Sequence, residues 1–365
     1  MKKLAVILAV TLVMAIAVPL TGCGSSGNSA VVSFISRPAT SSSGSYLPRL
    51  STLDPITKTA KAVVIPIPVT AMYVSANSDG TAVTYCRYPS TESGTNVANV
   101  SSTYDIYLMG TDGIEKELTT NADACVPVFS PDGKTIAYES YQSGSIYAQI
   151  FTMNVDGSNQ KALYTNTIPA YTEFQFFPQF SPDGKSLVFF IDIVGGVGVE
   201  QTHQQNATHT SHWLPERNYH ANHAVHRIAH PQDTVPYQSG WYTMGLTAAT
   251  PNLVYTPYYV WGPAVFSSDG TKLLFTDYDY DLEEWNIYSV ALDGSGLAEL
   301  TTNSDTYDFS PVAYKGIILF NRINYDTSSV DIYAMDENGA NQILIHSTPD
   351  QWEGLNDTYW EWANN

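Results

Sequence analysis

One ten-residue pattern recurs along the chain and limits it to very few folds. Phe129–Tyr138 reads FSPDGKTIAY, Phe180–Phe189 reads FSPDGKSLVF and Phe266–Phe275 reads FSSDGTKLLF. A weaker copy, Ala76–Tyr85, reads ANSDGTAVTY, and a degenerate one, Phe309–Phe320, reads FSPVAYKGIILF without the Asp-Gly. A second motif follows: Ile106–Gly113 (IYLMGTDG), Phe151–Gly157 (FTMNVDG), Ile287–Gly294 (IYSVALDG) and Ile332–Gly339 (IYAMDENG). In both motifs an aromatic or β-branched run ends at Asp-Gly and another apolar run begins. Pro presets φ, Asp hydrogen-bonds locally and Gly accepts the left-handed conformation that closes a hairpin. Each repeat therefore encodes two hairpins, or four antiparallel strands. The second strands (SLVFFI, KLLF, GIILF) are apolar at consecutive positions, which fits sheets buried on both faces.

The first-motif glycines Gly80, Gly133, Gly184, Gly270 and Gly316 are separated by 53, 51, 86 and 46 residues. Four-stranded propeller blades repeat at ~40–45 residues and lengthen with their loops, so the 86-residue interval carries an insertion. Radial stacking of such blades predicts a β-propeller. Five copies are complete. Val31–Ser36, Tyr46–Asp54 and Ala60–Ile65 match the last three strands of a further blade, and Asp357–Trp362 (DTYWEW) matches its first strand. The expectation is an all-β, six-bladed propeller of four-stranded antiparallel blades. Its ring is closed by the N- and C-terminal strands, which removes sheet edges.

The F-S-P-D-G-K run, with I-Y-x-M-N-x-D-G-S and K-x-L-T after it, resembles the WD-like repeat of the TolB-like propeller family. The same repeat occurs in the propellers of prolyl-oligopeptidase-type peptidases. The resemblance runs from about Ser33 to the C-terminus and implies the propeller fold, with a role in binding. Two departures keep the family's own partner from being carried over: no α/β domain precedes the repeats, and a lipid anchor replaces a free N-terminus. The Gly-His and Trp-Asp pairs of eukaryotic WD repeats are absent.

The N-terminus points to export. Met1-Lys2-Lys3 is basic, Leu4 to Leu20 is almost wholly apolar, and Leu20-Thr21-Gly22-Cys23 precedes a small polar stretch. This is the layout of a secretory signal, and LTGC resembles the lipobox of bacterial lipoproteins. The expected organisation is a signal peptide at 1–22, a lipidated Cys23 with its tether at 23–32, and a propeller at 33–365. Cys23 then anchors the chain to the cell envelope, at the outer membrane facing the periplasm if the source is Gram-negative, since Gly24 is not the retention Asp. No later segment is long and apolar enough to span a bilayer.

Charge narrows the partners. The chain carries 16 Lys+Arg against 35 Asp+Glu, a net of −19, which becomes −21 once Lys2 and Lys3 are removed. Such acidity repels phosphate backbones and argues against nucleic acid. An apolar content of 44% is ample for a core. The expected partner is an envelope protein or cell-wall component, bound by a monomer touching the membrane only through its lipid.

Four features bear on chemistry. An insertion at about 194–239 holds seven of the eight histidines, with His220, His223 and His226 at every third position. Imidazoles at that spacing suit zinc, copper or nickel, against the alternative of a polar surface loop. Asp277, Asp279 and Asp281 alternate with Tyr in the corresponding loop of the next blade, as Ca²⁺ ligands or as a solvated acidic loop. Cys86 and Cys125 end and begin neighbouring strands on one face, so a structural disulfide forms if their Cα atoms come within ~7 Å. Nucleophilic catalysis lacks support, because no G-x-S-x-G elbow occurs. A binding scaffold is the leading function, and a metal-dependent enzyme acting on polysaccharide, or a metal-binding protein, is the rival.

Overall fold

The computed structural model describes residues 32–38, 49–62, 65, 67–68, 71–87, 104–120, 122–141, 147–164, 172–194, 238–258, 260, 262–279, 284–302, 306–324, 329–347 and 351–354. The expected signal, Cys23 and all but the last residue of the tether lie outside them. Every regular element described is a strand. The N-terminal strands are β1 (Val32–Pro38), β2 (Arg49–Asp54) and β3 (Thr59–Ala62). A first complete sheet holds β4 (Met72–Ala76), β5 (Ala82–Arg87), β6 (Asp105–Gly110) and β7 (Glu115–Glu117). A second holds β8 (Ala124–Phe129), β9 (Thr135–Ser140), β10 (Gln149–Asn154) and β11 (Lys161–Ala162).

A third holds β12 (Thr172–Phe180), β13 (Ser186–Val194), β14 (Gly240–Gly245) and β15 (Asn252–Tyr255). A fourth holds β16 (Val265–Phe266), β17 (Lys272–Asp279), β18 (Glu284–Ala291) and β19 (Ala298–Glu299). The last repeat supplies β20 (Asp308–Tyr314), β21 (Ile317–Asn324), β22 (Ser329–Asp336) and β23 (Ile343–His346), and β24 (Gln351–Gly354) follows.

Two corrections to the six-bladed expectation concern closure. Among the described residues the hydrogen-bonded sheets number five: four of four strands and one of eight. The eight-stranded sheet contains two antiparallel sets, β20–β23 and β24-β1-β2-β3, joined by one parallel pair between Val330 and Trp352. They merge because β24 leaves the edge of β22 to pair antiparallel with β1, from Pro38↔Gln351 to Ile35↔Gly354. The closing strand is thus Gln351–Gly354; the segment 357–362 assigned to that role lies outside the described residues. Closure between the N- and C-terminal strands is nevertheless the arrangement found.

Apolar clusters fill the spaces between neighbouring sheets. One joins Tyr104, Ile106 and Leu118 to Phe129, Tyr138 and Phe151, and another joins Phe34 and Leu53 to Val312, Leu319 and Ile332. This is why the second strands are apolar on consecutive residues: both of their faces are buried.

The fifth repeat copy turns at the glycine read for it, Gly316, and adds a bulge that the sequence reading did not include. Phe309-Ser310-Pro311 lies inside β20, at a bulge between Phe309 and Val312. The turn is Lys315-Gly316, with both residues at positive φ, the geometry of a two-residue hairpin. The same bulge recurs in β4, β8 and β12, with Tyr73, Val126 and Phe177 at positive φ. In three of the four, proline follows (Pro127, Pro178 and Pro311), which suits a position where the ladder is interrupted.

Outer seams depend on the second motif. Gly339 sits at φ +85°, and a Cβ there would run into the carbonyl of Leu300 in the neighbouring sheet. Beside it, the Gln342 amide donates to the Leu300 and Gly339 carbonyls at 3.4 and 3.2 Å. Gln160 repeats this on Leu118 and Gly157, at 3.0 Å each. Gly339→Ala combines backbone strain with a clash against main chain. It should cost about 3 kcal/mol, read as a fall in the urea midpoint; a change below ~1 kcal/mol would contradict the packing described.

Candidate functional site

Four-stranded sheets arranged radially send their turns to two faces. The first-motif turns gather where the innermost strands end, around the mouth of the central channel. Three are built identically. The hydroxyls of Ser130, Ser181 and Ser267 donate to Asp132, Asp183 and Asp269 at 2.7 Å. The same Asp oxygens accept the amides of Lys134, Lys185 and Thr271 at 3.0–3.1 Å. Each serine oxygen in turn accepts an amide at 2.9 Å, from Thr135, Ser186 and Lys272. The serine hydroxyl, chiefly, holds each of these carboxyls below the usual aspartate range, so the rim stays ionised into mild acid. Its loops need little ordering on binding, which lowers the entropic cost of recognition.

Inside this rim lies a depression lined by Phe129, Phe180, Phe266, Pro131, Pro182 and Gln179. Its volume of about 30 Å³ holds one or two waters and is far below a typical small-molecule pocket of ~300–1,000 Å³. The rim is therefore suited to docking a surface or an inserted side chain rather than to enclosing a substrate. The sequence reading treated F-S-P-D-G as a turn signal only. Its recurrence in three successive repeats, as FSPDG twice and FSSDG once, was the available sign that these residues converge.

The opposite face carries most of the residues singled out from sequence. β13 ends at Val194 and β14 begins at Gly240, so the insertion leaves from this face as expected. Its stem is tied by Ser239, whose hydroxyl donates to Asp192 at 2.9 Å and accepts the Ile193 amide at 3.0 Å. His220, His223 and His226 lie outside the described residues. Asp277 is buried, and its carboxylate accepts the amides of Tyr258 at 3.0 Å and Tyr278 at 2.8 Å. It is thus not directed to water, as a solvated acidic loop requires. Asp279 ends β17 opposite Glu284, and Asp281 lies outside the described residues. Among the described residues, no group of three or more His, Cys, Asp or Glu is placed to hold a metal.

Cys86 ends β5 beside β8, where Cys125 lies, with 5.1 Å between their Cα atoms. That spacing is within disulfide reach. Two further polar groups on this face have no local signature in the sequence. Glu139 is fully buried, and burial pushes its carboxyl up to about 8 against the pull of the Phe177 amide. Asp308 and Arg322 form a bidentate pair in the last repeat, with both contacts at 2.6 Å.

No family model matches the chain, and no curated protein matches it. Solved structures do. A putative TolB from Agrobacterium tumefaciens aligns with a TM-score of 0.53 at 15% identity, over 85% of this chain and 98% of that one. TolB from Acinetobacter baumannii gives 0.52 at 14% identity, over 89% and 67%. A puromycin-hydrolyzing peptidase from Mycobacterium tuberculosis gives 0.51 at 13% identity, over 92% of this chain but 45% of the peptidase. At these identities the likeness is one of fold: the chain has the TolB-like propeller architecture.

Proposed function

We propose that this chain is an exported lipoprotein, anchored to the cell envelope through Cys23 and stapled by a Cys86–Cys125 disulfide. Its propeller serves as a rigid binding scaffold for an envelope protein or cell-wall component. The observation that carries the reading is the channel rim: three identically braced Ser-x-Asp turns around a shallow apolar depression too small to enclose a substrate. The similarity to TolB propellers supports the architecture of such a scaffold and does not name its partner. Lys134 and Lys185 face Asp132 and Asp183 at 3.9 and 3.6 Å, so the rim offers a partner both signs of charge.

Two measurements in intact cells test the proposal. A photo-crosslinker at Gln179, on the rim, should capture a reproducible partner that one at Ile56, on a peripheral turn, does not. Equal capture at both positions, or none at either, would refute the rim as the docking site. Cys23→Ser should shift the protein from the membrane to the soluble fraction, and continued membrane association would overturn the lipoprotein assignment.

A further inference from the structure

The inner seams between sheets share one structural slot. In each second strand it is the residue after the aromatic that pairs across to the third strand: Tyr85 with Tyr107, Tyr138 with Phe151, Phe275 with Tyr288. The next residue reaches the bulge of the following sheet's innermost strand. In β5 it is Cys86, beside Cys125. In β17 it is Thr276, whose hydroxyl oxygen accepts the amide of Ser310 at 3.2 Å. In β9 it is Glu139, whose Oε1 accepts the amide of Phe177 at 2.6 Å. A disulfide and a threonine do not titrate near neutrality; a carboxyl does.

Burial opposes the charge of Glu139, and the Phe177 amide offsets that only in part. Glu139 is 1% exposed. The same seam is held by Gln175, whose Oε1 accepts the Ile150 amide and whose backbone N–H donates to the Ala148 carbonyl, both at 2.9 Å. Tyr164 donates to Glu173 across it at 2.9 Å. The titratable groups on the elements packed around the seam are Asp123 ahead of β8, Tyr138 in and Tyr141 after β9, Tyr147 ahead of β10, Tyr164 after β11, Glu173 in β12, Asp192 in β13 and Tyr242 in β14. The one cation on these strands, Lys161 in β11, is exposed and lies opposite Thr152. Phe177 is itself at φ +57°, a conformation a bulky residue holds only when its surroundings impose it.

We propose that Glu139 is a proton-sensitive clasp between the β8–β11 and β12–β15 sheets, closed while its carboxyl is protonated and loosened as the pH rises. The device acts on β12, which pairs with the end of β13 where the 195–237 connection departs. It is independent of what the channel rim binds.

The direction follows from linkage. Burial raises the carboxyl from 4.5 to about 8 in the closed seam, whereas an opened seam returns it to its ordinary value. A raised group favours the closed state fully below the ordinary value and progressively less as the pH rises to the raised one. The opening equilibrium should therefore grow about tenfold per pH unit between pH 5 and pH 7.5 and level off above pH 8.

Amide hydrogen exchange on the whole protein, corrected for the intrinsic pH dependence, reads this directly. Protection across 172–180 should fall about 100-fold between pH 5.5 and pH 7.5, while 72–76, which carries the same bulge in the β4–β7 sheet and no carboxyl, should not change. Glu139→Gln keeps an acceptor for Phe177 and should abolish the difference. Should that variant not fold, Glu139→Thr puts the residue found in the equivalent slot of β17 there and should do the same. Equal pH responses in the two segments, or an unaltered response in the folded variant, would overturn the proposal.

Discussion

Reduction of the proposed Cys86–Cys125 disulfide is expected to destabilise the propeller by about 4 kcal/mol, from the chain-entropy relation for a closed loop of this length. The two residues are 39 apart in sequence with their Cα atoms 5.1 Å apart, so the bond costs no backbone movement. Its position raises the effect above that of a surface link. Both cysteines are fully buried in the cluster that joins β4–β7 to β8–β11, and they occupy the slot that elsewhere holds a seam by one hydrogen bond. The measurement is the urea midpoint with and without dithiothreitol. Cys86→Ala with Cys125→Ala should reproduce the reduced wild type and lose its response to reductant. If the oxidised and reduced proteins unfold together within ~1 kcal/mol, the staple does not exist or does not matter.

Much of the architecture was legible because a local signal carried it. Pro-Asp-Gly and Asp-Gly turns depend on residues within six positions of one another, and Ser130, Asp132 and Gly133 form the same loop as Ser181, Asp183 and Gly184. Apolar runs on consecutive positions correctly indicated second strands buried on both faces. The errors fall where geometry depends on a distant partner. The turn of the fifth repeat was read correctly at Gly316, but the bulge at Phe309-Ser310-Pro311 went unread. A proline inside each of β8, β12 and β20 was the overlooked clue, because an interior strand tolerates proline only where its ladder is broken.

The described part of the closing strand, Gln351–Gly354, was not read as a strand, because its pairing with β1 depends on a distant segment; DTYWEW, chosen by likeness to a first strand, lies outside the described residues. The site was less legible than the fold. Glu139 and Thr276 look unremarkable in sequence, because the amides they accept lie 38 and 34 residues away in a neighbouring sheet.

Breaking the Asp308–Arg322 pair is the second large effect, and its sign separates stability from specificity. Asp308 is fully buried, while the Arg322 side chain is 12% exposed. The guanidinium also donates to Gln342 at 2.8 Å and lies 4.7 Å from the Tyr333 ring centroid. Burial outweighs the attraction of Arg322 and holds the Asp308 carboxyl above its ordinary range. The ionised pair therefore does not repay the desolvation of the carboxylate, and its conspicuous geometry is weak evidence of net stabilisation. Removing one partner is a different matter, since it strands a cation among Phe320, Tyr333 and Gln342. Asp308→Ala should cost about 3–5 kcal/mol. Replacing both, with Asp308→Leu and Arg322→Met, should cost markedly less than the single change, because no uncompensated charge is left. Thermal unfolding of the two single variants and the double variant completes the cycle. A double variant as unstable as the sum of its singles would show that the pair contributes through each side chain's packing and not through the charges. Recovery in the double variant would place the role of this pair in fixing how β20, β21 and the Gln342 turn fit together.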